Sequence, residues 1–498
     1  MTGSDPEEDR PGNKALRKPR RIASRLDPAD EIRFGTSGWR GTLGEEVTFP
    51  RLRRLIRGVA DWLREEDQGD RVLIGWDGRF ASHLMAERAA HVLAAEGFTP
   101  VIASRLTPTP ALTHALRKQK AAAGLVLTAS HNPAPDHGLK VFGPNGASVT
   151  DADAARIEVA TAKRRDEDRF IPQSAPIRNV DFTSDYRAAL TSVLNEKKLN
   201  GSGIRVVYDA MHGAGSGILD GVLLEAGVQV ISLRAEVDPC FGGGMPDPQA
   251  NRLTALSECV ARLSAERAGP VVGLATDGDG DRLGVVDGTG RVLTETQTIA
   301  LLVDHLAESG RVTKGVAVTE GTGSLVSRVA SHHGLRTERY PVGFKYLSAA
   351  MASGSADVAG EESGGFALAD MGLDKDGLLA GIFMVDLVAT TGQSLEARVS
   401  ALEAQFGESA CGRASTPLSS EKSRALDRLI ADPPRVVGEV EVVSVSTHRG
   451  LRLELADGGF LIFRRSGTEP LLRVYAEGVD GEQLEARLAL GLSMLEGS

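Results

Sequence analysis

One pattern constrains this chain more than any other: apolar strand-like runs alternate with amphipathic helical stretches, and the alternation starts three times. RVLIGWDG (71–78) leads into a helical stretch to Gly97, then TPVIAS, a second helix and AAAGLVLTAS (121–130). The pattern restarts at GIRVVYDA (203–210) and passes through VQVISL and a helix over about Leu253–Ala268. It ends in VVGLATDGDGDR (271–282). A third round runs from a helix around Ile299–Ser309 through GVAVTEGTG and LRTERY to ADVAGEESGG (356–365). Strands that alternate with helices predict βαβ units and mostly parallel sheets. Restarts more than ~100 residues apart mean repeated domains, since solenoid repeats have periods of about 20–50 residues.

The final segment reads differently. VEVVSVS, LRLEL, FLIFR and LLRVYAE are short alternating strands, with helices over Glu421–Ala431 and Gly481–Leu495. That predicts an α+β domain with an antiparallel sheet. The expected fold is α/β with four domains around a central cleft. Three related α/β domains carry mixed, mostly parallel sheets, and a C-terminal α+β domain carries an antiparallel one. Expected boundaries are 31–175, 176–292, 293–412 and 413–498, after a polar, disordered tail over 1–30. At ~150 residues per domain, 498 residues allow three or four.

Composition excludes several classes. With 57 basic and 67 acidic residues the net charge is −10, and aromatics are only 4%. That is a poor match to a nucleic-acid binder with phosphate-tracking and base-stacking surfaces. No apolar run reaches the ~18 residues of a membrane span; the longest, Leu378–Val388, contains Asp386. Cys240, Cys259 and Cys411 are odd in number, far apart and in no CxxC pair. Neither a disulfide framework nor a zinc site is indicated, and a reducing cytoplasm is expected. Glycine is in surplus, at 57 where ~7% usage predicts about 35, which suggests loops that approach a ligand closely.

Each α/β repeat ends in a strand that runs straight into an unusual loop: TASHNP, TDGDGDR and GEESGG. Ligands in open α/β sheets sit beyond the carboxyl ends of the strands, so three domains can aim one loop each at a shared cleft. Asp277, Asp279 and Asp281 alternate with glycines; in an extended segment they would share a face, ~6.6 Å apart. At an effective dielectric of ~20 each pair repels by ~2.5 kcal/mol, so a dry cluster needs a cation. Hard oxygen ligands suit Mg²⁺ or Ca²⁺. A calcium EF-hand is excluded because Arg282 and Gly288 stand where that loop needs glycine and glutamate.

Ser130 in TASHNP has no GxSxG elbow, so an acyl-transfer serine is disfavoured. The loop suits either a phosphoryl carrier facing the carboxylates or an Asn-Pro turn with a capping serine. RRSGTEP (464–470) offers arginine, hydroxyls and glycine N–H groups for a phosphate dianion, though a capping turn uses the same residues. GEESGG fits a polyol or a plain acidic loop. FGTSGWRG (34–41) sets Arg40 beside glycines.

Together, in this order and at this spacing, these five motifs resemble the α-D-phosphohexomutase superfamily, which comprises phosphoglucomutase, phosphomannomutase and phosphoglucosamine mutase. The resemblance covers the chain from about Ile32 to its end. It implies an isomerase, an intramolecular phosphotransferase, with phosphoserine at Ser130. Mg²⁺ would be held by Ser130, Asp277, Asp279 and Asp281. It places Arg40, His131, Lys140, Arg282 and Lys345 in the catalytic neighbourhood and assigns sugar recognition to Glu361 and Ser363. Arg464, Ser466, Gly467 and Thr468 would bind the non-reacting phosphate. His137-Gly138 stands where relatives often show Asn-Gly, which bears on the strand that carries Lys140. The implied reaction interconverts hexose 1- and 6-phosphates through a hexose 1,6-bisphosphate, which is both intermediate and activator. GEESGG and the WRG form point to the glucose branch; phosphoglucosamine mutases usually show GEQSGH and IRG. Alternatives are a mannose or glucosamine mutase, a bisphosphate synthase, and a non-catalytic sugar-phosphate sensor. Expected partners are small sugar phosphates, with no nucleic acid or membrane, in a monomer or homodimer.

Overall fold

The computed structural model describes residues 32–164, 177–266, 269–447, 450–466 and 471–496. The tail expected over 1–30 lies outside the described residues, as do Gly467 and Thr468.

Three mixed sheets and one antiparallel sheet form in chain order. In the first, strands Arg71–Trp76, Thr99–Ala103 and Ala123–Leu127 are parallel. Asp136–Phe142 then returns antiparallel beside Ala123–Leu127, so TASHNP is the bend between them. Gly38–Thr42 pairs with that returning strand and places Arg40 opposite Gly138. The second sheet repeats the design: Arg205–Asp209, Gln229–Leu233 and Val271–Thr276 are parallel, and Leu283–Val286 returns antiparallel after the aspartate loop. The third does so with Gly315–Thr319, Arg336–Tyr340, Val358–Gly360 and the returning Phe366–Leu368. All three motif loops therefore sit at the same place in their sheets, at the carboxyl end of a buried strand where the next strand reverses.

Two segments depart from the expected boundaries. Arg178–Val180, placed at the start of the second domain, adds to the edge of the first sheet beside Thr99–Ala103. Ala410–Pro417 straddles the 412/413 boundary and belongs wholly to the last sheet, where it pairs along its length with Leu471–Gly478. Both are edge strands without apolar alternation, so their partners, not their own sequence, make them strands.

The first domain and the last have their own cores. One continuous core joins the second and third. At its centre lies the helix Gly377–Thr391, buried on every side through Ala389, which explains its uninterrupted apolar run. Asp386 within that run accepts hydrogen bonds from His305 Nε2 at 2.9 Å and the Asn195 amide at 3.2 Å, so its burial is compensated. Among the described residues no single helix is long and apolar enough to cross a membrane.

Candidate functional site

Ser130 ends its strand with φ = +53°, a left-handed conformation that costs a non-glycine residue about 1–2 kcal/mol. The surroundings over-determine it. The Ser130 amide donates to Thr128 Oγ1 at 2.7 Å. The Arg79 guanidinium, wholly buried, donates to the carbonyls of Ser130, Asn132, Pro133 and Asp136 at 2.6–3.0 Å. Arg40 Nη1 donates to Asn132 Oδ1 at 2.9 Å. The loop is thus clamped by its backbone, which leaves the serine hydroxyl to other work.

That hydroxyl donates to Asp277 Oδ2 at 2.8 Å, across the boundary between the first two domains. The aspartate segment is not extended as the sequence suggests. It is a turn in which Asp277 Oδ1 accepts the amides of Asp281 and Arg282 at 2.9 and 3.1 Å, with Gly280 at φ = +75°. A Cβ at Gly278 would lie 2.6 Å from the Ser130 carbonyl oxygen, so only glycine lets the two loops touch. The turn draws the carboxylates of Asp277, Asp279 and Asp281 together, with one oxygen of each within 4.8 Å of the others.

Cations meet this cluster. Lys140 Nζ lies 2.5 Å from both Asp279 Oδ2 and Asp281 Oδ2, and Thr109 Oγ1 also donates to Asp279 Oδ2 at 2.5 Å. Burial alone would lower the Lys140 pKa; the two carboxylates outweigh it and raise it, so the group is an ammonium ion. Burial likewise works against the Asp279 charge, but Lys140 prevails and holds that carboxyl below its ordinary value. Asp277 goes the other way, pushed well up by burial and by the charges of Asp281 and Asp279. The three carboxylates repel one another, and Asp277 bears the cost. Asp279 Oδ1 and Asp281 Oδ1 are buried without a hydrogen-bond partner among the described residues. Orphaned carboxylate oxygens in a dry, all-oxygen cluster fit a hard divalent cation such as Mg²⁺.

His131 Nδ1 is 3.4 Å from Ser130 Oγ; burial, then the charges of Arg282 and Arg40, hold its pKa well below the usual histidine value. Arg282 lies 3.5 Å from Asp247, whose charge, with those of Asp277 and Asp281, overcomes burial and raises its pKa. Its backbone bridges to Gly365, which ties the aspartate turn to GEESGG. There Ser363 Oγ donates to Glu361 Oε1 at 2.6 Å, and Glu361 meets the same cluster through Lys375.

Lys375 was not singled out in the sequence. Its Nζ stands 3.4 Å from Asp281 Oδ2 and 3.8 Å from Glu361 Oε1, so one buried ammonium joins the second- and third-domain loops. The available signal was DKDG directly before the most apolar helix: Asp376 caps that helix by accepting the Leu379 amide. Arg79 was missed too, although DGRFAS ends a strand just as the other three loops do.

Two expected positions stand apart. Lys345 pairs with Asp151 at the start of the helix Asp151–Lys163, and among its described contacts none is with the aspartates. Arg464 donates weakly to Tyr475 OH at 3.3 Å, and its buried Nε has no hydrogen-bond partner among the described residues. Its charge slightly opposes the upward push that burial gives the Glu362 carboxyl of GEESGG. The Ser466 amide closes the loop base on the Leu471 carbonyl at 2.8 Å.

Comparisons with known proteins agree along the chain. Models described as phosphoglucomutase/phosphomannomutase α/β/α domains I, II and III match residues 31–168, 184–290 and 294–406. The model of the C-terminal domain matches 417–489. A phosphoglucomutase/phosphomannomutase of Thermococcus kodakarensis is 28% identical over 93% of this chain and 98% of its own length. A phosphoglucosamine mutase of Cereibacter sphaeroides is 31% identical over 90% and 95%. Among solved structures, the open form of the Paramecium phosphoglucomutase parafusin superposes with a TM-score of 0.78. It has 22% identity and covers 93% of this chain and 94% of that one. An Aspergillus fumigatus N-acetylphosphoglucosamine mutase in complex with GlcNAc-6P and magnesium has a TM-score of 0.55 and 15% identity, over 95% and 96% of the two chains.

Proposed function

Because the chain belongs to the phosphoglucomutase/phosphomannomutase family, and is therefore an isomerase of the intramolecular phosphotransferase kind, we propose that it interconverts glucose 1-phosphate and glucose 6-phosphate through phosphorylated Ser130 and glucose 1,6-bisphosphate. The observation that carries this reading is the Ser130 hydroxyl, donated to Asp277 at 2.8 Å in a buried cluster served by Lys140, Lys375, Arg40 and Arg282. A phosphoryl group on that oxygen adds a charge of about −2, and these cations can balance it.

Phosphate monoesters are inert enough to need up to ~10²¹-fold acceleration, and phosphoryl transfer is catalysed mainly by positioning and charge neutralisation. In the first half-reaction the phosphorus–Oγ bond of phosphoserine breaks as a substrate hydroxyl oxygen bonds to phosphorus. That hydroxyl loses its proton and Ser130 Oγ regains one. The bisphosphate then reorients in the cleft and returns its other phosphate to Ser130 by the same exchange. Ser130, Asp277, Asp279 and Asp281 would hold Mg²⁺, which when bound supplies positive charge against phosphoryl oxygens. Arg40, His131 and Arg282 flank the reacting serine. Glu361 and Ser363 read sugar hydroxyls. Arg464, with Ser466, Gly467 and Thr468, holds the non-reacting phosphate, one end of the sugar and then the other. Three unpaired thiols, Cys240, Cys259 and Cys411, support a reducing, cytoplasmic setting.

GEESGG and the WRG form favour glucose, while relatives named phosphoglucosamine mutase make the amino sugar the main competitor. The test is kcat/KM for glucose, mannose and glucosamine 1-phosphates with Mg²⁺ and a trace of the matching bisphosphate. Glucose is expected to lead by about tenfold, the scale on which one changed substituent is discriminated. A lead for mannose or glucosamine reassigns the substrate, and no turnover of any of the three refutes the enzyme reading in favour of a sensor.

A further inference from the structure

We propose that His137 is a positioning residue for phosphoryl transfer: its Nε2–H anchors, through Ser82 and Asp77, the left-handed backbone of Ser130. The inference rests on the reading of Ser130 as phosphoryl carrier and adds to it the part of the molecule that holds this carrier in place.

His137 and Lys140 lie three residues apart on the strand Asp136–Phe142, so they project from opposite faces of the sheet. Lys140 meets the aspartates; His137, 1% exposed, turns to the other side. There its Nδ1 lies 2.8 Å from the Gly138 amide, which donates to it, and its Nε2 lies 2.9 Å from Ser82 Oγ. A ring nitrogen that accepts an N–H carries no proton, so the proton is on Nε2 and points at Ser82. Ser82 Oγ in turn donates to Asp77 Oδ1 at 2.8 Å. One proton arrangement alone satisfies the three groups.

Asp77 is the hub. It is wholly buried, and each oxygen accepts two donors: Oδ1 from Ser82 Oγ and the Arg79 amide, Oδ2 from Thr128 Oγ1 and Arg79 Nε. Through Thr128 it reaches the Ser130 amide, and through Arg79 the four carbonyls of TASHNP. Rotation of Ser82 away from Asp77 would leave a buried carboxylate one donor short and free the groups that impose the positive φ at Ser130. His137 prevents that rotation by occupying the acceptor side of the Ser82 hydroxyl. Asp77 and Arg79, from the loop after Arg71–Trp76, are the charged groups that act on His137; burial, aided by the Arg79 charge, outweighs Asp77 and keeps the imidazole neutral.

The test compares full-length wild-type protein with His137→Leu, His137→Gln, Ser82→Ala and the Leu/Ala double variant. Leucine fills the space without a donor; glutamine restores an N–H near the Nε2 position. Two readouts are taken: kcat and KM with glucose 1-phosphate, and hydrogen exchange of the amides over 129–132. His137→Leu is expected to lower kcat about 30-fold, with KM within about threefold, since a small displacement of a reacting group costs up to ~10² in rate. It should speed exchange at Ser130 about tenfold, and His137→Gln should recover kcat to within about threefold of wild type. The double variant should be no worse than the poorer single one, as expected of residues acting in series. Wild-type kcat in folded His137→Leu, a glutamine variant as poor as leucine, or losses that multiply in the double variant would overturn the proposal. Absence of wild-type turnover with glucose, mannose and glucosamine 1-phosphates alike refutes the Ser130 reading instead, and the exchange readout then decides the positioning by itself.

Discussion

The serine–aspartate cluster and the Arg464 loop serve the same substrate but are built in opposite ways. The Ser130 loop is held by many paired groups: Arg79 makes four carbonyl contacts, Lys140 spans two carboxylates, and Asp77 accepts four donors. Arg464 has one long bond to Tyr475 and an unpartnered Nε among the described residues. Polar contacts tie the last domain to the third, with Glu477 accepting from Ser324 and Arg452 donating to the Glu320 carbonyl. Transition-state charge is best stabilised by dipoles that do not reorganise, which the clamped backbone of the Ser130 loop provides. A phosphate holder that must release and rebind gains from unspent donors. The difference separates a part built for chemistry from a part built for capture.

Mutations should reveal that division. Ser130→Ala should lower kcat by about 10⁴-fold or more, as loss of a nucleophile does, with unchanged far-UV circular dichroism. Wild-type-like turnover would falsify the phosphoserine mechanism. Asp279→Asn and Lys140→Met should each cost roughly 10²–10³ in kcat, the scale for removing one preorganised charge. Excess chelator should stop the wild type and Mg²⁺ restore it; full activity in chelator would sink the assignment of the aspartates. Arg464→Ala should instead raise KM roughly 10–100-fold with kcat within a few fold, the loss of a charge-assisted phosphate contact. If kcat falls as far as in Lys140→Met, the contrast between chemistry and capture collapses.

The smallest effect concerns pH. Burial lowers the His137 pKa to about 4, against ~6.5 in an unfolded chain. Between those values the unfolded state takes up the proton first, so the stabilisation is complete above about pH 6.5 and is lost towards pH 4. The difference from His137→Leu should shrink by up to about 3 kcal/mol over that range. All three tryptophans, Trp39, Trp62 and Trp76, lie in the first domain, so their fluorescence in urea follows that domain alone. A pH-independent difference would show that His137 is not buried neutral.

Much of this was legible in the chain. Strand runs such as VVGLA and GVAVT are buried on both faces, and their apolar continuity announces parallel sheets whatever surrounds them. Each motif loop alone also fits an ordinary turn, so these loops could be read as a site only because five such motifs occur together in one order and spacing. Ala410–Pro417 and Arg178–Val180 were illegible as to domain, since an edge strand takes its identity from the sheet that accepts it. Lys375 was equally silent, because a lysine between two aspartates looks solvated until packing closes over it.

The sequence by itself determined the four-part architecture, the family, and which loops carry chemistry, because periodicity and local motifs are properties of neighbours along the chain. Only the tertiary structure decided that the aspartates form a turn rather than an extended face. It alone showed that Lys375 bridges two domains and that His137 backs the Ser130 loop from the far side of a strand. Each of these depends on groups tens to hundreds of residues apart, whose pairing is set by burial and by the need to satisfy every buried polar atom.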